Sequence, residues 1–268
     1  MIDLHDSTDP EITVAATVLA NLDTIAALGG VDYLVVGATA RTILSVALVG
    51  RAPDRATRDI DIAVAVGSWD DFERLTRHLP RHGRSQHSFS VVGVDVDVVP
   101  YGGIEEADRT ILWPDEHRMN VRGLREAFDN AETVLLPDGV IARVPSLPAL
   151  AVLKLLTWAD RRLLTTRDAI DLDTIMRWCT TGKYLDQLYG EEIDVLISHD
   201  FDPGLASSWL LGSRMARILD PAGAAAVLDV LDDDGIARLA NDMNRPFAHT
   251  RERLYALRDG TRAGTKHL

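Results

Sequence analysis

The stretch Arg58-Asp59-Ile60-Asp61-Ile62-Ala63-Val64-Ala65-Val66 constrains the fold more than any other. It is apolar and β-branched, with no Gly or Pro inside, and reads as a β-strand. Side chains two apart on a strand share a face, which sets Asp59 and Asp61 side by side. The remaining positions are apolar on both faces, the pattern of an interior strand. Two adjacent carboxylates beside such a strand repel one another and lose hydration, so they require a cation, a proton or an open cleft. A divalent metal meets the requirement economically, because Mg2+ takes one or two carboxylates together with substrate phosphates.

The neighbouring stretches supply further parts of a site. Asp32 to Val36 is a short apolar strand that runs into Gly37-Ala38-Thr39, with a helix from Ala40 to Leu48. Strand, small-residue turn and helix is also a phosphate-cradling geometry, since free backbone N–H groups and the helix dipole face an anion. Further on, His87 to Val92 and Val94 to Val99 form a β-hairpin around Gly93, and its second arm again places two acids, Asp95 and Asp97, on one face. Laid beside the first aspartate strand, this arm brings Asp97 or Asp95 to Asp59 and Asp61 as a third ligand. Three carboxylates on two adjacent strands can hold two divalent ions about 3.5–4 Å apart, which suits in-line phosphoryl or nucleotidyl transfer. His78, His82 and His87 lack zinc-site spacing and read as solvent-exposed.

The rest of the chain frames these parts. An amphipathic helix covers Glu11 to Leu28 and stops at Gly29-Gly30; Ser68 caps a helix over Trp69 to Leu79. A short strand is expected at Thr110 to Trp113 and a short helix at Gly123 to Asn130. Thr133 to Leu136 and Val140 to Val144 flank the turn Pro137-Asp138-Gly139. At Pro145-Ser146-Leu147-Pro148 the texture becomes helical, which divides the chain into expected domains 1–145 and 146–268. The second begins with helices at Ala149 to Arg162, carrying Lys154, and Arg167 to Thr180, carrying Asp168 and Asp171. Residues 183–198, 203–219 and 221–240 continue as helices or turns, and the tail after Asn244 reads as a last helix with a frayed end.

Composition narrows the function classes. A net charge of −13 over 268 residues argues against a protein that coats nucleic acid, but not against an enzyme that touches RNA through a local patch. The single cysteine, Cys179, leaves no internal disulfide and fits a reducing compartment. No apolar run reaches membrane-spanning length, so a cytoplasmic protein with no membrane partner is expected. The loops of P-loop NTPases, Gly-x-Ser-x-Gly hydrolases and His-Glu-x-x-His metalloproteases are missing from the sequence.

Taken in order, Val35-Val36-Gly37-Ala38, Arg58-Asp59-Ile60-Asp61 and Val96-Asp97-Val98 resemble the motifs of the DNA polymerase β-type nucleotidyltransferase superfamily. Asp97-Val98-Val99-Pro100-Tyr101-Gly102, and Lys154 through Asp160-Arg161 to Arg167-Asp168-x-x-Asp171, are similar to the AbiEii/AbiGii group, nucleotidyltransferase toxins of type IV toxin–antitoxin and abortive-infection systems. Ala38 departs from the pattern, in which the second turn residue is Gly or Ser. The resemblance implies an α/β (α+β) nucleotidyltransferase fold with a small mixed β-sheet, and a mainly helical C-terminal region that closes the nucleotide cleft.

It further implies transfer of NMP from NTP, ATP included, to a hydroxyl with release of pyrophosphate. Two Mg2+ ions, or Mn2+, are the implied cofactors, held by Asp59, Asp61 and Asp97. Gly37, Ala38 and Thr39 would meet the triphosphate, with Arg41, Arg58 and Arg167 as further candidates for substrate contact. Lys154 would neutralise phosphate charge and Asp171 would orient it or the acceptor. The implied acceptor is RNA, with the tRNA 3′ end foremost, and the implied partner is a cognate antitoxin. Two alternatives stand beside this reading. One is a small-molecule nucleotidyltransferase of the aminoglycoside type, which the acidic balance suits. The other is a non-catalytic nucleotide-binding module on the same fold.

Overall fold

The computed structural model describes residues 1–29, 31–53, 59–83, 85–243 and 249–266. Gly30, Arg58 and the stretch that opens the C-terminal tail, 244–248, lie outside the described residues. The chain divides into two compact units, Met1–Ser146 and Leu147–Leu268.

The first unit is built on a four-stranded mixed sheet. Its strands are β2 (Tyr33–Val36), β3 (Asp59–Val66), β4 (Ser88–Val91) and β5 (Val94–Gly102), in the order β2-β3-β5-β4. β3 runs antiparallel to β2 and parallel to β5, so it is the interior strand that its apolar run requires. Ile60, Ile62, Val64 and Val66 are all buried on one face of β3. The other face passes from Asp59 and Asp61 to Ala63 and Ala65, with Asp59 exposed and Asp61 half-buried. β4 and β5 form the expected hairpin, turning at Val92 (φ 45°) and Gly93 (φ 81°). Two successive positive φ angles are what a two-residue turn needs to follow strand twist.

Helices α1 (Pro10–Gly29) and α2 (Gly37–Val49) pack on each other, and α2 packs on β3. Ile12, Val18 and Leu19 of α1 and Ile43 and Leu44 of α2 are core residues. α2 begins at Gly37, not at Ala40 as expected, because Gly37 adopts φ +62° and lets the strand pass into the helix without a loop. The unit is completed by α3 (Trp69–Thr76), a second sheet and a small ribbon. In the sheet, β1 (Ile2–Asp3) lies parallel to β8 (Ala131–Leu135), which pairs antiparallel with β9 (Ile141–Pro145). The ribbon joins β6 (Thr110–Leu112) to β7 (Arg118–Asn120), and α4 (Leu124–Asp129) precedes β8. β1 and β7 were not expected. Each has two or three residues, too few for alternation to show.

The second unit is helical among its described residues: α5 (Leu147–Arg161), α6 (Arg167–Trp178), α7 (Gly182–Tyr189), α8 (Ile193–Ser198), α9 (Pro203–Ile218), α10 (Pro221–Val230), α11 (Asp233–Asp242) and α12 (Thr250–Thr265). The last helix expected after Asn244 is α12, and the end at which fraying is expected, 267–268, lies outside the described residues. Leu254, Leu257 and Thr261 of α12 are fully buried. A Cβ on Gly260 would fall 1.9 Å from the Trp209 carbonyl oxygen, and one on Gly212 would fall 1.9 Å from that of Leu257. These glycines let α9 and α12 approach backbone to backbone, which a reading by polarity alone does not show. No described helix is long and apolar enough to cross a membrane. The α/β class, the small mixed sheet and the mainly helical C-terminal half agree with the sequence expectation.

Candidate active site

The register of the main sheet assembles the acids. Asp61 lies opposite Val36 at the end of β2 on one side and opposite Asp97 of β5 on the other. Asp59 lies opposite Asp95. Partners across a strand pair share a face, so all four carboxylates rise from the same side of the sheet. Three of them converge: ligand oxygens of Asp59, Asp61 and Asp97 lie within 4.8 Å of one another. Asp95 stands apart, 3.4 Å from the exposed His82 Nδ1.

Gly37 joins the helix start to this cluster. A Cβ at Gly37 would lie 1.9 Å from Asp61 Oδ2, so the carboxylate occupies the space that a side chain would take. The first turn of α2 therefore begins directly beside the acids. Val36, its N-cap, offers no side-chain cap, and no acidic residue stands in that turn. The first-turn N–H groups and the dipole of α2 thus face the acid-bearing side of the sheet, with Asp61 as the carboxylate beside them. Thr39 is buried and its hydroxyl donates to the Asp59 carbonyl oxygen at 3.4 Å, tying α2 to β3. Ala38 is half-buried, and Arg41 is buried on α2. Arg58 lies outside the described residues. A mostly apolar cleft of about 180 Å³ has Thr39, Thr42 and Asp59 on its wall together with Ile12 and Ile43, so Asp59 is reached from open space.

Two neighbours of Asp97 were not singled out by the sequence. Ser88 Oγ donates to Asp97 Oδ1 at 2.5 Å. His87 Nε2 stands 3.9 Å from Asp97 Oδ2, and its ring lies 5.5 Å from that of Trp113. His87 is half-buried, not solvent-exposed as expected, because the Trp113 ring covers it. Only the pairing of β4 with β5 reveals these contacts. The lone signal in the sequence is that Ser88 and Ser90 alternate with apolar Phe89 and Val91.

Lys154 and Asp171 belong to the second unit, in a buried network. Lys154 Nζ is 2.7 Å from Asp171 Oδ2 and 3.1 Å from Asp168 Oδ1, and Arg161 Nε is 2.8 Å from Asp168 Oδ2. Burial alone would raise the Asp168 carboxyl, but the Arg161 hydrogen bonds and the Lys154 charge outweigh it and hold the group below the usual carboxylate range. The Lys154 ammonium thus has two carboxylate partners inside its own unit. Arg167, the first residue of α6, is exposed.

The donor set of the three-acid cluster is all carboxylate oxygen, the chemistry that Mg2+ and Mn2+ accept. It fits a divalent ion held by Asp59, Asp61 and Asp97.

Among solved structures, an antigenic nucleotidyltransferase-like protein from Paracoccidioides brasiliensis is 16% identical, with 75% of this chain and 94% of that chain covered and a TM-score of 0.44. ANT(2″)-Ia in complex with adenylyl-2″-tobramycin is 14% identical, with 69% and 96% covered and a TM-score of 0.40. The CCA-adding enzyme of Thermotoga maritima complexed with tRNA is 12% identical, with 97% and 83% covered and a TM-score of 0.24. No curated protein sequence matches the chain. The family model of the nucleotidyl transferase AbiEii toxin of type IV toxin–antitoxin systems matches residues 27–245, a span that includes Gly37, the three acids and the Lys154 network. The chain is a nucleotidyltransferase and belongs to the AbiEii toxin family.

Proposed function

We propose that Asp59, Asp61 and Asp97 form the centre of an NTP-dependent nucleotidyl transfer to an RNA hydroxyl, with the tRNA 3′ end as acceptor. The observation that carries the proposal is the parallel register of β3 and β5, which sets Asp97 beside Asp61 on the open face of the sheet. Two divalent ions on these carboxylates would balance the charge of the triphosphate and lower the pKa of the attacking hydroxyl.

The chain's own groups divide the remaining work. The first-turn N–H groups of α2, at Gly37, Ala38 and Thr39, receive the triphosphate, where the helix dipole favours an anion. Asp59 and Asp61 face the α-phosphate from β3. Asp97, on the far side of Asp61 from the helix, faces the acceptor hydroxyl and favours loss of its proton. The acceptor oxygen forms a bond to the α-phosphorus, the bond to the bridging oxygen breaks in line, and pyrophosphate leaves with its electron pair. In a toxin family of this kind, the growth-inhibiting activity is countered by a cognate antitoxin.

A second reading has its own support. The net charge of −13 suits a cationic small-molecule acceptor better than a polyanion. Each α-labelled NTP, with Mg2+, is offered to the protein alongside total RNA or a panel of aminoglycosides. Label in RNA, absent with Asp59→Ala/Asp61→Ala, is the expected result. Label only in the aminoglycosides moves the assignment to the second reading, and no transfer to either contradicts both.

A further inference from the structure

We propose that Ser88 is a positioning residue for Asp97, fixing its carboxylate so that it presents one defined oxygen to the divalent ion. The inference rests on the reading of Asp97 as a metal ligand. Ser88 lies directly opposite Asp97 in the antiparallel β4–β5 pair, and β4 ends the sheet order beyond β5. Along β4, Phe89 and Val91 are buried while Ser88 and Ser90 are half-exposed, so the serines stand on the acid-bearing face.

The Ser88 hydroxyl donates to Asp97 Oδ1 at 2.5 Å, within the range of a strong hydroxyl–carboxylate bond. His87 Nε2, at 3.9 Å from Oδ2, is beyond hydrogen-bond reach. The directed bond on this carboxylate therefore comes from Ser88. The terminal torsion of an aspartate is broad and roughly two-fold, so an unheld carboxylate turns easily. A donor fixed to one oxygen sets the plane of the group, whose ligand oxygen lies within 4.8 Å of those of Asp59 and Asp61. Partners of this kind, one bond removed from a metal, change metal affinity or activity about 10–100-fold when removed.

A plain cross-strand pair that only steadies the hairpin would leave metal binding alone, and that separates the two roles. Ser88→Thr and Ser88→Val have nearly the same shape and both suit a strand, but only the first keeps a hydroxyl. Mn2+ binding to the NTP-free protein is followed by electron paramagnetic resonance, with the melting temperature and the metal dependence of nucleotidyl transfer measured beside it. Ser88→Thr is expected to bind Mn2+ like the wild type. Ser88→Val is expected to bind about tenfold more weakly and to need correspondingly more metal for half-maximal transfer, at a melting temperature close to that of Ser88→Thr. Equal Mn2+ affinity in the two variants overturns the proposal. Asp97→Asn separates the layers. If it binds Mn2+ and transfers label like the wild type, the reading of Asp97 falls as well. If it loses both while Ser88→Val keeps both, the role of Ser88 falls alone.

Discussion

Gly37 is the residue on which the site turns. Its φ of +62° is open to glycine at little cost, and the Asp61 carboxylate fills the place of its side chain. Gly37→Ala brings about 1–3 kcal/mol of backbone strain and pushes Asp61 aside. Displacements of about 1 Å at a reacting centre cost about a hundredfold in rate. Gly37→Ala is therefore expected to lose nucleotidyl transfer at least about a hundredfold while remaining folded by circular dichroism. Wild-type activity in that variant would show that Asp61 does not need its position. The family turn allows Gly or Ser one residue later, where this chain has the half-buried Ala38. Cys179 illustrates a different kind of residue. Burial pushes its thiol up to about 12, which leaves almost no thiolate near neutral pH. A disulfide reagent at pH 8 is expected to label it only as the protein unfolds in denaturant. Rapid labelling of the native protein would contradict its burial.

Among elements, the α5–α6 pair depends on ions and the α9–α12 pair on close backbone approach. Lys154, Asp168 and Asp171 are all buried, so removing the lysine takes a cation from two buried carboxylates, of which Asp168 keeps Arg161. Lys154→Ala is expected to cost about 3–5 kcal/mol in urea unfolding. A loss below about 1 kcal/mol would mean that the carboxylates are solvated. The sign of the pH effect follows from the depressed Asp168 carboxyl. Its contribution is fully present above the unfolded value of about 3.9 and is lost as pH falls through the lower folded value. Asp168→Asn should therefore flatten the acid limb of stability below about pH 4, and an unchanged limb would exclude Asp168 as its source. In α12, Gly260→Ala gains about 1 kcal/mol of helix propensity. It also drives a methyl group to 1.9 Å from the Trp209 carbonyl oxygen, and overpacking of about 1–3 kcal/mol or more outweighs the gain. A lower melting temperature is expected, and a higher one would show that the helices can separate without cost.

At the scale of the molecule, much of the fold was legible because alternation and helical periodicity act locally. The Asp59–Asp61 strand, the hairpin at Gly93 and the helical C-terminal half each declare themselves within a short window. What a window cannot hold is register. Nothing within Val94 to Val99 says that β5 lies parallel to β3 with Asp97 opposite Asp61, since that pairing spans a long crossover. The contacts of Ser88 and His87 with Asp97 depend on the same pairing, one strand further out. The burial of α12 depended on glycines whose value appears only against another helix. The negative charge of the whole chain, in turn, bears on what approaches the acids, because exposed like charge slows a polyanion and its effect weakens with salt.

Whether Asp59, Asp61 and Asp97 act as one nucleotidyl-transfer centre is read from the transfer of label from α-labelled NTP to RNA, with equimolar pyrophosphate release, by the wild type and by Asp61→Asn matched for melting temperature. Transfer and pyrophosphate are expected from the wild type and neither from Asp61→Asn. Undiminished transfer by Asp61→Asn would contradict a single centre.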